Sequence, residues 1–289
     1  MALPNYTIRS MGRPDLALAL DWAAAEGWNP GLHDVDCFYA ADPAGFWMGW
    51  LGDEPVAAIA AVKYGETFGF VGLYIVRPTF RGQGYGLVIW QAGLAYLQGR
   101  TIGLDGVVEQ QANYIKSGFE LAHRNIRYRG RKAAGAEKGN RMQPKGEIVA
   151  IASLPINTVL AYDQTFFPAE RTDFLKSWLT QPDSLSVGLM YQQTLAGYGL
   201  IRTCREGYKI GPLFADTPQV AEAIFLALID KVNPNGVFYL DVPEPNSQAV
   251  ALAEKYQMSR VFETARMYRQ GVPHLPVARM FGITTFELG

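Results

Sequence analysis

Arg81-Gly82-Gln83-Gly84-Tyr85-Gly86 constrains this chain more than any other stretch. Glycines at alternate positions let a backbone turn tightly and point successive N–H groups outward. The flanks say which elements they join. Val71–Val76 is a β-rich apolar run, and Pro78 closes it because a proline cannot continue a central ladder. From Leu87 to Leu97 the apolar residues Leu87, Ile89, Trp90, Leu94 and Leu97 fall at helical spacing. Strand, glycine loop and helix in that order set the positive end of a helix dipole beside exposed N–H groups, an anion site suited to a pyrophosphate. The loop is not a dinucleotide fingerprint, because there is no G-x-G-x-x-G and no acidic residue placed to hold a ribose. Nor is it a P-loop, because no Gly-Lys-Ser/Thr follows.

A second segment, Tyr114-Ile115-Lys116-Ser117-Gly118-Phe119, follows in order downstream. With Ile75-Val76-Arg77-Pro78 before the loop, Arg81-x-x-Gly84-x-Gly86 resembles the acyl-CoA loop of the GNAT superfamily of N-acyltransferases. The Tyr114 segment is similar to that family's Tyr-x-x-x-Gly-Phe, which ends the helix after the fifth strand. The resemblance implies an α+β (mixed α/β) fold, a mixed, largely antiparallel sheet flanked by helices, with acetyl-CoA (CoA) as cofactor.

Pattern reading along the chain agrees with that order. Tyr6–Met11 reads as a strand, and a helix starts at Pro14-Asp15 and ends near Gly27. A short helix begins at His33, and residues 46–51 and 56–64 form a hairpin. Beyond the glycine-loop region come a strand over 102–108, a short helix over 111–117 and a strand over 121–129. Residues 129–145 are rich in Gly, Ala, Lys and Arg and read as a solvated loop or linker, whose charge is a weaker candidate for holding an adenosine phosphate.

After Ile148 the pattern begins again. Residues 187–191 and 196–203 form a hairpin, 208–214 a strand, 218–231 a helix, 237–242 a strand, 246–256 a helix and 261–269 a last strand. Leu240-Asp241 stands opposite Leu104-Asp105, and Arg266-Met267-Tyr268-Arg269 echoes Arg127-Tyr128-Arg129. The expected organisation is two tandem GNAT folds: residues 4–132 as the acyl-CoA-binding, catalytic domain, 133–146 as linker, and 147–289 as a degenerate copy. In place of the glycine loop the second copy has Phe214-Ala215-Asp216-Thr217-Pro218-Gln219. There a side chain caps the helix and a carboxylate would repel phosphate. Ala253 stands where a tyrosine matching Tyr114 would fall.

Composition narrows the function. Over 289 residues, hydrophobic residues make up 49% and charged ones 18%, enough for a substantial core. A net charge of -1 gives no electrostatic case for nucleic acid as the main partner. Cys37 and Cys204 lie far apart, and with His33, His123 and His274 they show no metal spacing, so no metal site is expected and a reducing cytoplasm fits. No signal peptide or membrane span is read. The oligomeric state stays open.

An acyl thioester attacked by an amine needs a proton acceptor for the amine, a donor at the developing oxyanion and an acid for the thiolate. The resemblance places the oxyanion donor among the backbone N–H groups of Tyr74, Ile75 and Val76, and the acid at Tyr114. Arg81 is expected beside the pyrophosphate. Gly82, Gly84 and Gly86 would supply backbone geometry, and Gln83 and Tyr85 N–H groups only. Asn113 could reach the cofactor arm or merely begin its helix. The proton acceptor is the weak point. Where many family members carry a carboxylate, this chain has Gly72. Asp34, Asp36, Glu109 and a water relay are the substitutes, unless a low-pKa amine binds already neutral. The clustered aromatics Trp22, Trp28, Phe38, Tyr39, Phe46, Trp47 and Trp50 read as core, with some available to wall an apolar acceptor pocket.

The expected activity is transfer of an acetyl group from acetyl-CoA to the amine of a small molecule or amino acid in the first domain. Its rivals are a CoA-binding sensor without turnover, a protein-lysine acetyltransferase, and transfer of a longer acyl chain.

Overall fold

A computed structural model describes residues 5–133 and 146–289. The linker expected at 133–146 therefore lies almost wholly, at 134–145, outside the described residues. So does most of the basic stretch considered for the adenosine phosphate.

The first half runs β1 (Tyr6–Ser10), α1 (Arg13–Ala25), α2 (Asp34–Ala41), β2 (Phe46–Leu51), β3 (Glu54–Tyr64), β4 (Phe68–Val76), α3 (Tyr85–Tyr96), β5 (Thr101–Val107), α4 (Gln111–Lys116) and β6 (Glu120–Arg131). The second runs β7 (Glu147–Ala150), α5 (Ile156–Asp163), α6 (Thr172–Thr180), β8 (Ser184–Tyr191), β9 (Thr194–Thr203), β10 (Tyr208–Ala215), α7 (Pro218–Ile229), β11 (Val237–Pro243), α8 (Ser247–Lys255), β12 (Ser259–Arg269) and β13 (Met280–Gly282). The expected elements are present. The sequence analysis missed α5 and α6, which answer α1 and α2, and the short strands β7 and β13.

Local chemistry explains the helices. α1 starts with Pro14 in its first turn, Asp15 accepts from the Gly12 N–H at 3.0 Å, and Leu16, Ala19, Leu20 and Ala23 form one buried stripe. α6 buries Phe174, Leu175, Trp178 and Leu179, and Trp178 stacks on Phe38 of α2 with ring centroids 6.2 Å apart. The two halves thus share one aromatic core.

Among the described residues the strands form one sheet, in the order β1-β2-β3-β4-β5-β12-β6-β11-β10-β9-β8-β7, with β13 paired to β10. Exchanging the halves maps that order onto itself reversed, so the copies are related by a pseudo-twofold at its centre. The last strand of each copy has crossed over: β12 pairs with β5, and β6 with β11. Two buried ion pairs lock the crossing. Arg266 stands directly opposite Asp105, and Arg127 directly opposite Asp241. Arg127 grips Asp241 through both carboxylate oxygens, at 2.7 and 2.8 Å. A one-residue slip would leave each buried charge alone, at about 3–5 kcal/mol apiece, so the pairs fix the register.

Candidate active site

β4 and β5 run parallel from Phe68/Thr101 to Val71/Leu104 and then part. The parting is built into β4. Its register against β3 shifts between Ala60↔Gly72 and Ala58↔Ile75, and Leu73 takes a left-handed φ of 46°. Beyond the split, the β4 backbone has no β5 partner. A cavity of about 720 Å³ fills the wedge. Along β4 it extends from Gly72 to Val76 and on to the glycine loop.

The glycine loop closes one end. Gly84 caps α3 with a left-handed φ of 91°, and no side chain caps the helix there, so its first N–H groups and its dipole are left to a ligand. Gly86 must be glycine for a different reason: a Cβ would come within 2.7 Å of the Tyr74 hydroxyl and 2.8 Å of Val76 Cγ2. That close approach seats the start of α3 directly on β4. Arg81 is half exposed; it donates from Nε to the Val76 carbonyl at 2.8 Å and pairs with Glu26. An uncapped helix start, glycines that keep its approach open and an adjoining wedge fit the phosphates and arm of an acyl-CoA.

Tyr74, Ile75, Val76, Arg81, Gly82, Gly84, Gly86 and Tyr114 all line this one cavity. Gln83, Tyr85 and Asn113 do not. Gln83 turns its amide back to the Thr79 carbonyl at 3.0 Å, and Tyr85 packs on Tyr6 at 5.0 Å. Asn113 donates to Gln110 Oε1 at 2.8 Å in the turn that begins α4, and Gln110 itself lines the cavity. Tyr114 is 8% exposed, its ring 5.5 Å from Trp90 and laid over Gly106, where a Cβ would come within 2.2 Å. Burial, then Tyr74, pushes its hydroxyl well up, so it stays a proton donor across the neutral range.

The candidates for proton acceptor separate sharply. Asp34 is fully buried in an ion pair with Arg202, Nε to Oδ1 2.9 Å, and also accepts from the Gly31 N–H at 2.7 Å. It holds the loop after α1 against the second copy and is absent from the cavity wall. Asp36 pairs with Arg13 on the surface at 2.8 Å. Only Glu109 of these lines the cavity. At Gly72 no side chain fits, because a Cβ would lie 1.9 Å from the carbonyl oxygen of Glu287.

Glu287 belongs to a buried segment, 283–289, that threads between the halves. Sequence reasoning missed it, because the segment has no counterpart in the repeat. Trp28, Asp105, Phe262, Thr264, Phe286 and Glu287 also line the cavity, so the second copy supplies one wall. Of these only Trp28 had been offered as a wall.

The second copy repeats the wedge and fills it. β10 and β11 pair from Tyr208/Phe238 to Ile210/Leu240 and part. β13 then adds to β10, the Ile283 N–H donates to the Asp241 carbonyl at 2.9 Å, and a Cβ on Gly211 would meet the Thr284 carbonyl at 2.4 Å. Thr217 caps α7 by accepting from the Val220 N–H at 3.3 Å, and Asp216 is held by Tyr162 and Arg279. Capped helix and plugged wedge together leave no room for the arrangement seen in the first copy.

Cys37 and Cys204 are buried free thiols, and burial pushes Cys37 up to about 11, which suits packing and not nucleophilic attack. Among the described residues no cluster of His, Cys, Asp or Glu could hold a metal ion, and no helix is long and apolar enough to cross a membrane.

Comparison with known proteins bears on both halves. Residues 14–117 match the model of the acetyltransferase (GNAT) family, and residues 159–282 that of an acetyltransferase (GNAT) domain. A protein named holothin acyltransferase, from Pseudoalteromonas sp. (strain SANK 73390), is 30% identical over 285 residues, covering 99% of this chain and 95% of that one. A putative acetyltransferase from Pyrococcus horikoshii superposes with a TM-score of 0.82 at 23% identity, over 100% of this chain and 98% of that one. A tandem GNAT protein from the clavulanic acid biosynthesis pathway does so with 0.65 at 14% identity, over 93% and 99%.

Proposed function

The chain belongs to the GNAT acetyltransferase family, as an acyltransferase of tandem type, and from that premise we propose that its first half moves an acetyl group from acetyl-CoA to the amine of a small molecule. One observation carries the reading: a single cavity is lined by the uncapped start of α3, the unpaired stretch of β4 and Tyr114. When bound, the acyl-CoA supplies an activated carbonyl. The helix start and Arg81 hold its phosphates. A backbone N–H of the Tyr74–Val76 stretch, which lines the wedge, would meet the oxyanion as it develops. Tyr114, kept protonated by burial, delivers its proton to the leaving sulfur.

The acceptor is a compact amine with a flat apolar body. Trp28, Phe262 and Phe286 wall the wedge, and Glu109 and Glu287 favour a cationic group. An aromatic, two-sided wall of this kind counts against a protein lysine as the acceptor. The relative named for holothin points the same way, to a small molecule.

The test is calorimetric titration of acetyl-CoA into the wild type and into Gly84→Glu, with folding checked by circular dichroism, followed by an amine panel. One site lost in the variant, with turnover of at least one amine, supports the reading. A folded wild type that binds no acetyl-CoA or CoA overturns it.

A further inference from the structure

We propose that Glu287, from the segment threaded between the two halves, takes the proton from the attacking amine, at the end of the cavity opposite the glycine loop. The inference rests on the acyltransferase reading and names the group that the reading lacks.

Three observations carry it. First, the chain leaves room for no side chain at Gly72, because the Glu287 backbone occupies that space with its carbonyl oxygen 1.9 Å from where a Cβ would be. The glycine and the threaded segment are parts of one construction. Second, Glu287 is 1% exposed yet lines the cavity. One carboxylate oxygen accepts from the Thr285 hydroxyl, and Oε1 has no hydrogen-bond partner among the described residues. A buried carboxylate oxygen without a donor is costly unless something fills the place, and a substrate ammonium is a fitting donor. Third, two of its rivals are committed elsewhere, while Glu109 shares the cavity wall. Asp105 is held by Arg266 and by Asn125 Nδ2 at 2.7 Å, and Asp34 by Arg202.

The charged groups around Glu287 come from every neighbouring element. Arg127 on β6 is paired with Asp241 on β11, Arg202 on β9 with Asp34 on α2, and Arg266 on β12 with Asp105 on β5. Lys209 on β10 donates to the Trp28 carbonyl at 3.4 Å. Glu287 acts electrostatically on Arg127, Arg202 and Lys209 and favours their charged forms.

The step balances simply. The ammonium yields one proton to Glu287, and the amine nitrogen bonds to the acyl carbon. The carbon–sulfur bond breaks and Tyr114 protonates the sulfur; the nitrogen sheds its second proton to water, which reprotonates Tyr114, and Glu287 releases the first proton to solvent.

The probes are benzylamine, charged at neutral pH, and aniline, neutral there. Glu287→Gln is expected to lower kcat/KM for benzylamine by about 100-fold or more, and for aniline by roughly tenfold less. Calorimetric affinity for benzylamine falls with it, acetyl-CoA affinity and melting temperature hold, and Glu287→Asp restores part of the rate. Thr285→Val, which strips the carboxylate of that hydrogen bond, moves the acidic limb of the benzylamine profile to higher pH; this arm stands if the glutamine variant fails to fold. Equal losses for both amines, an unmoved limb, or a glutamine variant as active as wild type would overturn the proposal. A wild type that binds acetyl-CoA but acetylates no amine would sink the acyltransferase reading and this one together. Turnover in the wild type with a neutral Glu287→Gln would sink this one alone.

Discussion

Replacing Gly72 by alanine tests whether the threaded segment and β4 are as closely fitted as described. The added Cβ would sit 1.9 Å from the Glu287 carbonyl oxygen, 2.7 Å from its carbon and 3.0 Å from its Cα, against ordinary contact at 3.4 Å or more. All three are backbone atoms, so no rotamer can relieve the overlap. Either β4 or the segment must yield by about 1.5 Å, the gap between 1.9 and 3.4. Overpacking of this kind costs roughly 1–3 kcal/mol. In a chain of this size that is a fall of roughly 2–6 °C in melting temperature. Function should suffer more than stability, since a misplacement of about 1 Å at a reacting centre costs on the order of 100-fold in rate. Affinity for acetyl-CoA should hold, because the glycine loop is seated on Tyr74 and Val76 and not on Gly72. Thermal melts, calorimetry and steady-state kinetics on one preparation read all three. A Gly72→Ala protein that melts and turns over like wild type would refute the fit, and with it the reason given for a glycine there.

Tyr114→Phe should lower kcat about 10- to 100-fold with acetyl-CoA affinity within threefold; unchanged kcat would remove Tyr114 from the chemistry. Asp34→Ala leaves Arg202 buried without its partner and should cost about 3–5 kcal/mol by urea denaturation, and a variant as stable as wild type would show the pair to be idle. Thr217→Ala should cost about 1 kcal/mol through the lost cap without touching acetyl-CoA binding, which calorimetry checks. His123 is held down at about 4 against 6.5, by burial first and then by Arg266, while Asn125 pulls the other way. The unfolded chain therefore binds the extra proton, and stability is lost as pH falls from about 6.5 to about 4, by roughly 3 kcal/mol at most before solvent screening. His123→Gln should melt higher than wild type at pH 4.5 and alike at pH 7.5; parallel curves would refute that assignment.

Much of the fold was legible because its signals are local. The glycine loop, the period of α3 and the capped start of α7 each announce themselves within a dozen residues. The repeat was legible through Leu104-Asp105 and Leu240-Asp241, although their true partners were not, since nothing local says that Arg266 answers Asp105 across the copies. At the site, the glycines that line the cavity were legible from their spacing. Asp34 was proposed as a proton acceptor because it is a carboxylate in the loop after the first helix, and the distant Arg202 that consumes it cannot be read locally. Glu287 was invisible for the same reason: Gly72 read as a missing side chain, when it is the space through which another part of the chain passes.

The crossed strands bear on how the two copies can drift apart after duplication. Splitting the gene between them would leave each product short of the strand that its sheet borrows, with raw ladder edges open to mispairing. The copy without the glycine loop is therefore not free to decay at large. Substitutions can accumulate around its plugged wedge, while β12 and the segment through Glu287 also wall the cavity of the other half.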